Sequence, residues 1–156
     1  LLAAPALADW EKTHWGDGVD KVIADVGEGA KPDKGDEDDR VFDKDRLASR
    51  DGSYNGINAV WQFFFDGKGG LAVVKVKPRD YADCDPFVAK VKAEQGKLDG
   101  PNVKDLGTIS FSSWTKADRK ANLAVMVVQV SGIASGRQIC HITYQPYGSG
   151  KPGQEN

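Results

Sequence analysis

Residues 58–78, NAVWQFFFDGKGGLAVVKVKP, carry the signal that decides the fold. Two runs rich in β-branched and aromatic residues, 59–65 and 71–77, flank a short loop whose glycines accommodate positive φ angles. Pro78 follows the second run and has no backbone N–H to donate to a sheet. The stretch predicts a β-hairpin, which makes an antiparallel sheet the framework of the fold.

Other segments are expected to add strands to this hairpin. Three later runs have the same β-rich composition: 107–115 (GTISFSSWT), 122–130 (NLAVMVVQV) and 137–145 (RQICHITYQ). In the first half, the alternating segment 10–15 (WEKTHW) and the segment 41–54, with a turn at Asp51-Gly52, are also predicted strands. The segment 29–40 (GAKPDKGDEDDR) is the most polar part of the chain and is expected to be a loop.

Two segments show the apolar spacing of helices. Positions i, i+3, i+4 and i+7 are apolar in each, namely Val19, Val22, Ile23 and Val26 in the first helix and Cys84, Phe87, Val88 and Val91 in the second. Asp17 and Asp85 are the expected N-caps, the latter followed by Pro86 at the first helical position. Gly27 and Gly96 are the expected ends of the two helices.

These elements predict an α+β fold, in which an antiparallel β-sheet has two helices packed on one face. The predicted order is β-α-β-β-β-α-β-β-β. The length predicts a single domain, 9–147, with a flexible polar tail at 148–156.

The faces of the strands follow from their alternation. If Cys140 points at the helices, Ile142 and Tyr144 do too, and His141 and Thr143 lie on the opposite face with Lys75 and Lys77. In the strand at 107–115, Ile109 and Phe111 are expected to point inward and Trp114 outward. The candidate interaction face consists of His14, Trp114, His141 and Thr143, and the alternative is a plain solvated surface.

The beginning of the sequence and the cysteines predict an exported protein. Residues 1–8, LLAAPALA, end in an Ala-x-Ala pattern that suits signal peptidase, and we interpret them as a residual signal peptide. The chain has two cysteines, Cys84 and Cys140. An even number in an oxidising compartment favours a disulfide, and the alternative is two buried free thiols.

Composition disfavours several classes of function. The chain has 21 Lys and Arg against 23 Asp and Glu, a net charge of −2, whereas nucleic acids and anionic membranes select a basic excess. No further segment is apolar enough to insert into a membrane. We therefore expect neither a nucleic-acid partner nor membrane insertion.

No pattern in the sequence points to catalysis, a metal or a cofactor. A Gly-x-Ser-x-Gly nucleophile motif is absent, and the two histidines, His14 and His141, are far apart in the sequence. Cys-x-x-Cys spacing is absent as well. The acidic segment 33–45 lacks the glycine at the sixth position and the acid at the twelfth position of a calcium loop. This favours a solvated loop and leaves cation binding open. We expect no enzymatic activity and no cofactor.

The stretch DWEKTHWGDGVDKVIA at 9–24 and the late stretch CHITYQP at 140–146 resemble a group of uncharacterised exported proteins of Gram-negative bacteria. Mature chains of that group open with Trp and then Trp-Gly, have a Cys before the second helix, and end with Cys-x-Ile/Leu-x-Tyr-x-Pro. Here these features are Trp10, Trp15-Gly16, Cys84 and the stretch from Cys140; Asp17 replaces a common Met. The resemblance implies a periplasmic or secreted protein with a Cys84–Cys140 disulfide and implies no known activity.

Three hypotheses about function follow. The first is a non-enzymatic exported protein that binds another protein, as an inhibitor, adaptor or envelope-assembly module. The alternative is a small-ligand carrier with a cavity between sheet and helices. An enzyme would require His14 or His141 to meet an acid in a cleft.

Overall fold

The computed structural model describes residues 10–133 and 136–149 and shows a mixed α+β fold that is mostly antiparallel sheet. The two helices are α1 (Val19–Val26) and α2 (Cys84–Gln95). The first four strands are β1 (Ala30–Pro32), β2 (Asp45–Tyr54), β3 (Ile57–Phe65) and β4 (Leu71–Pro78). The last four are β5 (Asp99–Leu106), β6 (Ile109–Asp118), β7 (Leu123–Ile133) and β8 (Arg137–Gln145). Short 3-10 turns lie at Glu37–Asp39 and Tyr81–Asp83.

The eight strands form one sheet in the order β1-β2-β3-β4-β8-β7-β6-β5. This order divides the molecule into two halves of the same plan, each a helix followed by four antiparallel strands. The halves meet where β4 pairs antiparallel with β8, and Lys75 lies opposite Thr143 in that pair. From either edge of the sheet to its centre, the strands therefore follow in the same order: the first, second, third and fourth strand of one half.

The main hydrophobic cluster contains side chains from both helices and from the sheet. Val22 of α1 and Phe87 of α2 are fully buried in it, with Val74 and Val127 from the sheet. We call the sheet face that contributes to this cluster the core face. The face toward which the alternate side chains point is the outer face.

The predicted first strand at 10–15 is wrong. Residues 10–18 form turns and irregular structure, beginning where the backbone N–H of Thr13 donates to the carbonyl of Trp10 at 3.0 Å. Trp10 itself is buried in the main cluster. The polar and apolar residues of this segment alternate, but the segment does not form a strand. Trp10 anchors it in the main cluster.

The predicted order of elements is also wrong, because each half has one more strand than expected after its helix. The three-residue β1 lies inside the segment expected to be a loop. The exposed β5 includes the Gly-Pro-Asn stretch expected to be a turn. Both are edge strands of the sheet, where polar residues are common, so their composition does not mark them as strands.

The turn predicted at Asp51-Gly52 lies instead at Asn55-Gly56, where β2 turns into β3. Asn55 and Gly56 both have positive φ angles, 47° and 89°, as a two-residue hairpin turn of this handedness requires. Gly52 is inside β2. A side chain there would meet the Trp61 ring, since an added Cβ would lie 3.1 Å from it.

Both helices and the central hairpin are confirmed. The four apolar residues of the second helix are all buried, and its C-cap is Gly96. In the first helix the N-cap is Gly18 rather than Asp17, whose carboxylate accepts a hydrogen bond from the backbone N–H of His14 at 2.9 Å. The N-cap of the second helix is Asp83, two residues before the expected Asp85.

The Cys84–Cys140 disulfide is confirmed, with 5.8 Å between the two Cα atoms. It joins the first residue of α2 to β8, and both cysteines are fully buried. In the part of the chain that the structure describes, no helix has the length and apolarity to cross a membrane. The predicted signal peptide, 1–8, and most of the predicted tail, 150–156, lie outside the described residues.

Candidate functional site

One row of outer-face side chains crosses the whole sheet. From the β1 edge to the β5 edge, neighbouring strands place these residues opposite one another: Lys31, Ser49, Gln62, Lys75, Thr143, Met126, Thr115 and Asp99. Most members of the row are polar, and Lys75 lies near its centre. The middle of this row is polar but largely buried, because Gln62 and Thr143, on either side of Lys75, are only 8% and 2% exposed. The surroundings of the row differ between the two halves.

In the first half, the segment 33–44 covers part of the outer face. Val41 and Phe42 pack against a small buried cluster of Phe64, Ala72 and Val73. At the same place, two carboxylates of the neighbouring loop, those of Asp33 and Asp39, each lie 3.5 Å from the Arg46 guanidinium. The chain thus shields this half with an aromatic residue and acids of its own.

In the second half, no described segment equivalent to 33–44 crosses the outer face. The connection between β5 and β6 is only the two-residue turn at 107–108. Alternation from β5 to β8 brings apolar side chains together there: Leu106, Ile109, Phe111, Met126, Val128, Val130 and Ile139. We call this set, with its polar neighbours Ser113 and Thr115, the second-half surface. Leu106 is 67% exposed and Ile139 is 37% exposed.

The second-half surface includes a groove of about 300 Å³. Its walls come from three strands of the outer face: Asp99, Asn102, Lys104, Phe111, Ser113, Thr115 and Met126. The groove joins an aromatic ring and a thioether to hydroxyl groups, one amide, one lysine and one carboxylate. Such a mixture suits a chain segment with both apolar and polar groups.

Cations border the second-half surface where the two halves meet. Lys75 and Lys77 lie on β4 and His141 lies on β8. Burial, together with the nearby Lys77, lowers the pKa of Lys75 to about 8. Burial and these two lysines lower the pKa of His141 to about 3, so that this imidazole is neutral at physiological pH. The border is therefore positively charged and short of water.

Within the described ranges, the Lys75 ammonium has no carboxylate within 4 Å. Asp39 raises its pKa only from a longer distance. The free-energy cost of removing a cation from water is not offset when no counter-ion lies close to it. Lys75 is accordingly a group that gains from a carboxylate supplied by another molecule.

The structure separates the four residues of the candidate interaction face. His141 and Thr143 lie on the outer face, as their alternation with the core residues Cys140, Ile142 and Tyr144 predicts. Trp114 was expected there, and this placement is wrong. Its ring packs against the main cluster, with the Lys92 ammonium of α2 4.3 Å from the ring centroid. His14 is exposed in the loop before α1, where strand alternation does not apply.

The expected inward placement of Ile109 and Phe111 is wrong as well, because β6 places both on the outer face. The alternation in β6 explains these errors. Phe111 and Trp114 have opposite parity, so this strand has an aromatic residue on each face. Sequence reasoning also missed that Met126 and Val128 lie on the outer face, where Met126 is partly exposed and Val128 is buried. The continuous apolar run VMVV at 125–128 is the signal, because a strand that is apolar at consecutive positions has two apolar faces.

The described residues include no group of three or more His, Cys, Asp or Glu side chains arranged to hold a metal ion. The acids of 33–45 are instead used locally, since the Asp36 carboxylate accepts a hydrogen bond from the backbone N–H of Asp38 at 3.0 Å. The Asp39 carboxylate accepts one from the N–H of Asp36 at 3.1 Å. The second-half surface offers apolar contact and cation–carboxylate pairing.

No protein-family model, no curated protein and no solved structure matches this chain. Its function therefore has to be inferred from its own surface.

Proposed function

We propose that this chain is a non-enzymatic, exported protein that binds another protein through the second-half surface. The observation that carries the proposal is the set of adjoining apolar side chains that remain accessible there, with Leu106 and Ile139 more than one third exposed. Contiguous exposed apolar surface on a monomeric protein is typical of an interaction site. Inhibitor, adaptor and envelope-assembly modules all bind in this way.

The arrangement of polar groups supports the same proposal. Protein interfaces combine an apolar centre with a polar rim, and most of the binding energy comes from a few central groups. Phe111, Met126 and Ile139 provide such a centre. Lys104 and Lys75 lie at its borders.

The proposal takes both helices to cover the core face, leaving the outer face free for a partner. Buried side chains of α1 and α2 in the same cluster as Trp61, Phe63 and Val74 support this arrangement. Contacts of α1 with β1 and β2, and of α2 with β4, β7 and β8, are consistent with it.

We place the protein in the periplasm or outside the cell. The Cys84–Cys140 disulfide supports this placement, because structural disulfides persist in oxidising compartments and are rare in the cytosol.

The small-ligand alternative requires a cavity between sheet and helices. Val22, Phe87 and Val127 are fully buried there, in a layer filled by side chains. The groove described above opens on the outer face instead. These observations favour a protein partner.

Site-specific photo-crosslinking in the native host tests the proposal. In one variant a benzophenone amino acid replaces Ile139, on the second-half surface. In the control variant it replaces Val103, which is 50% exposed. Val103 lies in β5 opposite Ser112 of β6, on the core-face side of the sheet. We expect one dominant protein adduct from position 139 and none from position 103. Adducts of equal strength from both positions, or from position 103 alone, would overturn the proposed surface.

A further inference from the structure

The two halves of the molecule have equivalent outer-face surfaces because they share one plan. Each half is a helix and four antiparallel strands, and the strand order is symmetric about the β4–β8 pair. The spacing from helix to first strand is also the same, from Val26 to Ala30 and from Gln95 to Asp99. The chemistry of the segment that covers the outer face of the first half therefore indicates which chemistry fits the outer face of the second half.

The cover of the first half has a defined chemistry. Phe42 supplies an aromatic ring to the apolar cluster around Phe64. Asp39 supplies a carboxylate to Arg46, and it also acts on the pKa of Lys75 through space. An aromatic residue beside acids, within one short segment, is what this outer face accepts from its own chain.

Among the described residues, the second half has no such segment. Its β5–β6 connection has two residues where the β1–β2 connection has the twelve residues 33–44. Its apolar centre is accessible at Ile139, and its borders have the amino groups of Lys104 and Lys75. In the described part of the chain, Lys75 has no close carboxylate partner.

We propose that the second-half surface binds a partner segment in which an aromatic residue lies beside carboxylates, the chemistry that 33–44 supplies within the chain. This inference rests on the proposed function and names the class of partner. The aromatic ring would lie against Phe111, Met126 and Ile139. A carboxylate would pair with Lys75, where low exposure to water strengthens the attraction.

Selection of a random-peptide display library on the immobilised full-length chain tests this. We expect enriched peptides with an aromatic residue within a few positions of Asp or Glu. Synthetic copies should lose binding to the Ile139→Asp variant. They should bind the Lys75→Gln variant about tenfold or more weakly, as expected for loss of one member of a desolvated charge pair. The matched control is Lys97→Gln, an exposed lysine after α2, which should leave affinity unchanged.

The outcomes separate the two claims. Peptides that require Ile139 but are basic or uncharged would overturn the acidic-aromatic inference and leave the binding surface in place. An acidic peptide that binds the Lys75→Gln variant as well as the parent would also overturn the inference. No enrichment, or enriched peptides that bind the Ile139→Asp variant equally well, would overturn both. Circular dichroism of each variant establishes that it is folded.

Discussion

At the scale of single residues, Lys75 is where function and stability oppose each other. It lies on the sheet's central strand pair, desolvated and without a close acid among the described residues. Such a charge destabilises the fold unless a partner neutralises it. The proposed function accounts for such a residue, because a carboxylate of the partner would be attracted to it more strongly than to a solvated lysine.

Replacement of this lysine should stabilise the protein. The pKa of Lys75 in the fold, about 8, is below its ordinary value of 10.5, so folding disfavours the protonated form. The unfolded chain therefore binds more protons between these two values, and the stability of the parent should rise from pH 8 to pH 10.5. We predict that Lys75→Met raises the free energy of unfolding at pH 7 by about 2 kcal/mol.

Urea denaturation across this pH range measures the effect. In the Lys75→Met variant, the free energy of unfolding should rise less over this pH range, because the contribution of Lys75 to the rise is missing. Lys97→Met, a change at an exposed lysine, should behave as the parent does. A Lys75→Met variant less stable than the parent at pH 7 would mean that the ammonium is already well paired.

Residue faces could be predicted only where a strand is apolar on one side. In β8 the alternation of Cys140, Ile142 and Tyr144 with polar residues gave the right faces. In β6 the sequence has aromatic residues of both parities, and only packing against α2 decides that Trp114 belongs to the core face. Gly52 was mistaken for a turn residue because the Trp61 ring beside it is remote in the sequence.

At the scale of elements, the disulfide is the main covalent constraint on α2. It fixes the first residue of the helix to β8 across a sequence separation of 56 residues. Closing a loop of this length restricts the unfolded chain. In the entropic model this corresponds to about 4 kcal/mol of stability.

We therefore expect the Cys84→Ala/Cys140→Ala double variant to unfold with a free energy about 4 kcal/mol lower than the oxidised parent. Equilibrium unfolding in urea provides the measurement, and the parent under reducing conditions is the control for the loss of packing by the substituted side chains. A decrease below about 1 kcal/mol would show that the unfolded chain is not restricted by the bridge.

The elements that the sequence predicted well are those whose own residues are buried. The helices and the β3–β4 hairpin have regular apolar patterns, and they were found within a few residues. The edge strands β1 and β5 were missed because almost all of their residues are exposed. Their pairing depends on the neighbouring strand rather than on a pattern of their own.

At the scale of the whole molecule, the repeated plan explains why one surface is open. Only the strand order makes the equivalence of the two halves visible. In the described part of the chain, one half has its own acidic and aromatic cover and the other half has no equivalent segment. Neither the open surface nor its likeness to the covered one could be read from composition, because both depend on which strands are neighbours.

The central claim is that the second-half surface binds a protein partner, and the most direct test is the affinity of the crosslinked partner for two charge variants. Ile139→Asp and Val103→Asp each place a carboxylate at an exposed apolar site, on opposite faces of the sheet. We predict that Ile139→Asp weakens binding by about tenfold or more, as for a central interface residue, and that Val103→Asp leaves it within about twofold. Full affinity in Ile139→Asp, with or without a loss in Val103→Asp, would contradict the claim.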